Sequence, residues 1–86
     1  MPHAAFSELA PDSRAVGYDA YSRAFQFVER DPLLVGWDRE FLSGVLSQRI
    51  RELVQRGERD VIRVANAAIT RVRELTSNEH SVRTPA

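Results

Sequence analysis

Between Trp37 and Leu75 the chain spells out two amphipathic helices in succession, with their start and stop signals in place. Asp38 stands where a side-chain cap opens the first of them, and Gly57 suits the left-handed residue that ends it. A second apolar-periodic run then continues from Val61. This pattern dictates an all-α protein and supplies no chemistry of its own.

A third helix precedes these two. The cluster Pro11-Asp12-Ser13 is a start signal, with Asp12 or Ser13 as the expected cap. From about Ser13 to Arg30, residues Val16, Ala20, Tyr21, Ala24, Phe25, Phe27 and Val28 fall on one side of a 3.6-residue helix. Gly17, Ala20 and Ala24 lie near the middle of that face, where small residues admit a close neighbour. Because glycine costs up to about 1 kcal/mol against alanine inside a helix, a packing reason for Gly17 is expected. Asp31-Pro32 stops the helix, since the residue before a proline is pushed away from the α region.

The spacing therefore predicts an all-α three-helix bundle with helices at about 13–30, 38–56 and 59–76. A connector at 31–37 joins the first two, and its run Leu33-Leu34-Val35-Gly36-Trp37 is apolar enough to be expected to fold back over the core with Trp37 as a plug. Trp37 and Leu42 have the spacing of a hydrophobic staple around Asp38. Residues 1–10, with Phe6 and Leu9 as apolar handles, are expected to form a flexible lead, and 77–86 a flexible tail. At 86 residues there is room for one domain, 11–76, of modest stability.

Helix two carries an unusually broad apolar sector: Phe41, Leu42, Val45, Leu46, Ile50, Leu53 and Val54 cover more than half its circumference. A surface helix needs a stripe of about 100° or somewhat more. Helix two is thus either the central helix of the bundle or also faces another chain. Arg49 falls inside the sector, either snorkelling to its edge or paired at an interface. Helix three places Val61, Ala65, Ala68, Val72 and Leu75 in alternating steps of four and three, a short heptad-like seam. Its far side gathers Arg59, Arg63, Asn66, Thr70 and Arg73 into a polar strip.

Composition removes several functional classes. There is no cysteine, hence no disulfide, thiolate nucleophile or Cys-based zinc site. The two histidines, His3 and His80, lie in the expected tails without companions at metal-ligand spacing, so no serine nucleophile has an ordered base. The acid pairs Asp38/Glu40 and Glu58/Asp60 begin helices, where carboxylates cap and complement the dipole. Glu29/Asp31 ends one. The four glycines, at 17, 36, 44 and 57, form no phosphate loop. An enzyme, a cofactor, a metal and a small-molecule substrate are all unexpected. No apolar run approaches the roughly 18–20 residues that span a bilayer, and no basic-then-apolar leader opens the chain, so a membrane is unexpected and the cytoplasm is the expected compartment.

Charge is balanced overall and uneven along the chain. Residues 1–48 hold four arginines against seven acids, while residues 49–73 hold seven arginines against three. All twelve cations are arginine, as a GC-rich bacterial genome would encode or as bidentate contacts to carboxylate or phosphate would require. Two functions fit these features. The first is a non-enzymatic protein–protein interaction module, a regulator, adaptor or subunit. It would self-associate as a homodimer through helices two and three, or bind another protein, using Trp37, Phe41, Leu42, Leu46, Arg49, Ile50 and Leu53. The second is a nucleic-acid-binding regulator, with helices two and three as a helix-turn-helix-like pair and Arg59, Arg63, Asn66, Thr70 and Arg73 as contacts. The sequence pI of 6.7 weighs against the second.

Overall fold

A computed structural model describes the backbone of residues 6–83 and the side chains of residues 6–77. Residues 1–5 (His3 included) and 84–86, the outer parts of the two expected tails, lie outside the described residues, as does the side chain of His80. Three long α-helices follow in order: α1 (Pro11–Arg30), α2 (Arg39–Gln55) and α3 (Val61–Arg83), with a 3-10 turn at Pro32–Leu34 between the first two. They pack against one another as the three-helix bundle that the periodicity predicts.

Cross-helix contacts give the directions. The end of α1 meets the start of α2 through Glu29 and Arg39, whose carboxylate and guanidinium are 2.8 Å apart. The lead before α1 meets the end of α2 through Glu8 and Arg51 at 2.9 Å, so these helices run antiparallel. Arg73, well along α3, reaches Asp31 at the end of α1. Thus α3 returns alongside α1, and the connector and the later half of α3 share one end of the bundle.

Local chemistry explains where the helices begin and end. Pro11 occupies the first turn of α1, where its missing N–H costs nothing. Contrary to expectation, neither Asp12 nor Ser13 caps this helix: Ala10 holds the cap position without a side-chain bond, and Ser13 is buried on the inner face. Asp38 does cap α2, accepting the Glu40 N–H at 3.2 Å. Asp60 caps α3, accepting the Ile62 and Arg63 N–H groups. Gly57, at φ +101°, ends α2 in a Schellman arrangement: the Glu58 N–H donates to the Leu53 carbonyl and the Gly57 N–H to that of Val54. Past Thr76, α3 runs on to Arg83 where a tail was expected. No glycine or proline lies between Ser77 and Arg83 to stop it, so polar composition alone does not end the helix.

The core divides its bulk unequally. α2 supplies the column Leu42, Leu46, Ile50 and Val54, all buried, at one side chain per turn. α1 offers the small residues Gly17, Ala20 and Ala24, and α3 offers Ala65 and Ala68 between Val64 and Val72. Large side chains from one helix thereby fill the space that small ones on its neighbours leave open. Phe27, grouped with the apolar face in sequence, lies outside this stripe and is 45% exposed.

Within the expected flexible lead, Phe6 is anchored on the bundle. Phe6 is fully buried, its ring edge-on to Tyr18 at a centroid distance of 5.3 Å. A methyl group built on Gly17 would sit 3.1 Å from the Phe6 ring. Here is the packing reason for the glycine: its missing side chain is the seat of Phe6. Truncating Phe6 to alanine is expected to cost about 3–5 kcal/mol. Gly17→Ala should realise its helix-propensity gain of up to ~1 kcal/mol only in the Phe6→Ala background. Chemical denaturation of both single variants and the double variant checks this, and strictly additive effects would refute the contact.

Candidate protein-docking surface

Asp31 begins the region of interest. Its backbone is extended, as its position before Pro32 demands, and its carboxylate accepts the Leu33 N–H at 3.0 Å. The turn that follows closes by i to i+3 bonds, from the Leu34 N–H to the Asp31 carbonyl and from the Trp37 N–H to the Leu34 carbonyl. A three-residue period aligns every third side chain. Asp31, Leu34 and Trp37 accordingly share the inner side: Leu34 is buried, Trp37 is half-buried and the Asp31 side chain is 9% exposed. Leu33 and Val35 are turned outward by the same period and stand 84% and 80% exposed. The connector therefore only partly folds back, and two aliphatic side chains remain in water.

Trp37 stacks on Phe41 of the first turn of α2, with ring centroids 5.7 Å apart. Phe41 is 42% exposed, so the stack continues the apolar surface from the connector onto α2. On the other side, a groove of about 430 Å³ opens between the connector and α3, lined by Asp31, Leu33, Leu34, Trp37, Arg73, Thr76 and Ser77. Thr76, one of the lining residues, is buried, and its hydroxyl donates to the Val72 carbonyl at 2.9 Å. A second groove, of about 550 Å³, lies along the outer face of α1 and shares Asp31 and Arg73 with the first. There Phe27 lies under the Arg73 guanidinium, 5.1 Å from its ring centroid, and the same guanidinium is 3.7 Å from the Asp31 carboxylate. Arg73 is more than half exposed, so this ion pair is screened and weak.

The expected interface residues divide sharply. Leu42, Leu46 and Ile50 are buried in the chain's own core, among three helices that each pack against the other two, which withdraws them from the outer surface of the bundle. Leu53 is half-buried against the core, and Arg49 bonds Glu52 on its own helix at 3.1 Å. Trp37 and Phe41 remain accessible. Of the polar strip, Arg59 donates to the carbonyls of Val54 and Glu58, closing the end of α2, and Arg73 is held over Phe27. Arg63, Asn66 and Thr70 are exposed, and among the described residues Arg63 has no ion-pair partner. The sequence marks the connector 33–37 as unusually apolar and places Phe27 on the inner face of its helix, but does not name Leu33, Val35 or Phe27 as interface residues; the short proline-bounded turn and its three-residue period were the available signal.

Among the described residues no helix is long and apolar enough to cross a membrane, and no group of three or more His, Cys, Asp or Glu side chains is placed to hold a metal ion. Comparison with protein-family models, with curated proteins and with solved structures finds no match to this chain.

The split between inner and outer residues of the connector has a direct consequence for stability. Leu34→Ala should cost about 2 kcal/mol or more by opening a cavity. Leu33→Ser and Val35→Ser should each stay within about 0.5 kcal/mol of the wild type. Thermal and denaturant unfolding of the three variants measure this, and a large loss at Leu33 or Val35 would show that the outward pair is structural.

Proposed function

We propose that the protein is a small, non-enzymatic protein–protein interaction module, and that it docks through the connector end of the bundle rather than through α2 and α3. The observation that carries this reading is the outward pair Leu33 and Val35, set beside the accessible Trp37–Phe41 stack and an apolar-walled groove. Isolated exposed hydrophobics are ordinary on protein surfaces, whereas a contiguous apolar patch rimmed by charge marks an interaction site. Arg39, paired with Glu29 and lying over the Phe25 ring, and Arg73 form that rim. Aromatic and arginine side chains at the margin of a groove are the composition enriched at protein interfaces.

The nucleic-acid reading has less support. Two of its three arginines are engaged within the chain, at the end of α2 and over Phe27. The exposed remainder of the strip is one arginine with Asn66 and Thr70, too few cations for appreciable phosphate neutralisation.

The double variant Leu33→Ser/Val35→Ser tests the docking reading, with its fold verified by circular dichroism. Solution mass is measured by light scattering over a range of concentrations, and immobilised wild type and variant are compared for the proteins each retains. The expected outcome is a wild-type association, with itself or with a retained partner, that the variant weakens about tenfold or more, the equivalent of about 1.4 kcal/mol. Identical masses and identical retained sets for the two proteins would overturn the proposal.

A further inference from the structure

We propose that the connector end takes an acidic amphipathic segment of a different protein, its apolar side chains in the groove beside Trp37 and its carboxylates on the arginines of α1. This inference rests on the docking reading and names the chemistry of the partner. It follows from the way the two grooves join. They share Asp31 and Arg73 in their walls, so the apolar groove beside Leu33 and Trp37 adjoins the groove on α1 at this ion pair.

That second groove is lined by three arginines, Arg23, Arg30 and Arg73, against the single carboxylate of Asp31. Asp31 is already committed, to the Leu33 N–H and to Arg73. Arg23 has only an exposed, 3.6 Å pairing with Asp19, and Arg30 has no ion pair among the described residues. Arg23, Phe27 and Arg30 follow one another at i, i+4 and i+7, and so form one stripe on the outer face of α1. Their ends are separated by about 10.5 Å along the helix axis, at 1.5 Å per residue. The stripe therefore reads cation, aromatic, cation. Its complement is an acid, an apolar residue and an acid at the same spacing, the pattern of one face of an amphipathic helix with carboxylates seven residues apart.

Charge complementarity selects this occupant over the alternatives. A second copy meeting this face about a two-fold axis presents the same arginine-rich groove from both sides. A nucleic-acid backbone satisfies the arginines but offers nothing apolar to Leu33, Val35 and Phe27. An acidic amphipathic segment satisfies both halves at once.

Trp37 is the only tryptophan of the chain, and its emission reports on the groove directly. The full-length protein is titrated with a synthetic amphipathic helix bearing leucines on one face and glutamates at i and i+7. The same peptide with lysines for glutamates, and a short DNA duplex, are titrated in parallel. Fluorescence and amide chemical shifts are read together. The glutamate peptide is expected to bind saturably, to move the Trp37 emission and to shift amides in 23–37 and 73–77. The lysine peptide should bind roughly tenfold more weakly, since two exposed ion pairs contribute about 0.2–1 kcal/mol each. Arg23→Glu/Arg30→Glu, both exposed and free of core contacts, should reverse that preference while the protein stays folded.

No binding of the glutamate peptide, equal binding of both peptides, or tighter binding of the duplex through the same arginines would each overturn the inference. The docking reading is judged separately. If Leu33→Ser/Val35→Ser still abolishes an association while the acidic peptide fails, the surface docks a partner of other chemistry. If neither experiment responds, both readings fall.

Discussion

One column of side chains organises this molecule. Leu42, Leu46, Ile50 and Val54 project from α2 at one per turn, and each must be enclosed on two sides. Enclosure requires the flanking helices to come close, which α1 achieves with Gly17, Ala20 and Ala24 and α3 with Ala65 and Ala68. A bundle of this length has little surplus burial, so the match of large residues against small ones carries much of its stability. The same demand draws in the lead. Where the methyl-free surface of Gly17 leaves a gap, the Phe6 ring closes it, and the edge-on contact with Tyr18 holds the ring in place.

Helix periodicity and terminal chemistry were legible because they are local. Asp38 and Gly57 act within a turn of their own positions, and their roles follow from residue type alone. The partition of the α2 sector was not legible. Amphipathicity measures how much of a helix is apolar, not whether a neighbour in the same chain or another chain covers it. Leu46 and Ile50 therefore look alike as core residues and as interface residues until the flanking helices are placed. The fate of Phe6 was hidden for a related reason. A lone aromatic in an aperiodic stretch carries no signal of its own, and the glycine that receives it lies in a different element.

The connector shows how a change of helical period sorts residues that composition treats as equivalent. Leu33, Leu34 and Val35 are consecutive and similarly apolar. One full turn of 3-10 geometry sends the middle one inward, with Trp37 and Asp31, and the other two into solvent. An apolar run read as a plug thus yields half a plug and half an exposed edge. The supports are specific: Pro32 fixes the entry, the Asp31 carboxylate holds the Leu33 N–H, and Asp38 restarts the α geometry immediately afterwards.

Asp31 also bears on how the exposed end behaves toward anything that meets it. Its carboxylate, almost wholly shielded, lies against the guanidinium that borders both grooves. It is a resident competitor, occupying from within the cation that an incoming acid would seek. An arriving carboxylate must share Arg73 with Asp31 or compete for it, and because the resident pair is screened by solvent that competition is mild. One of the cations bordering the grooves is thus already partly answered by a charge the chain carries itself, while Arg23 and Arg30 on α1 face no carboxylate of the groove but Asp31.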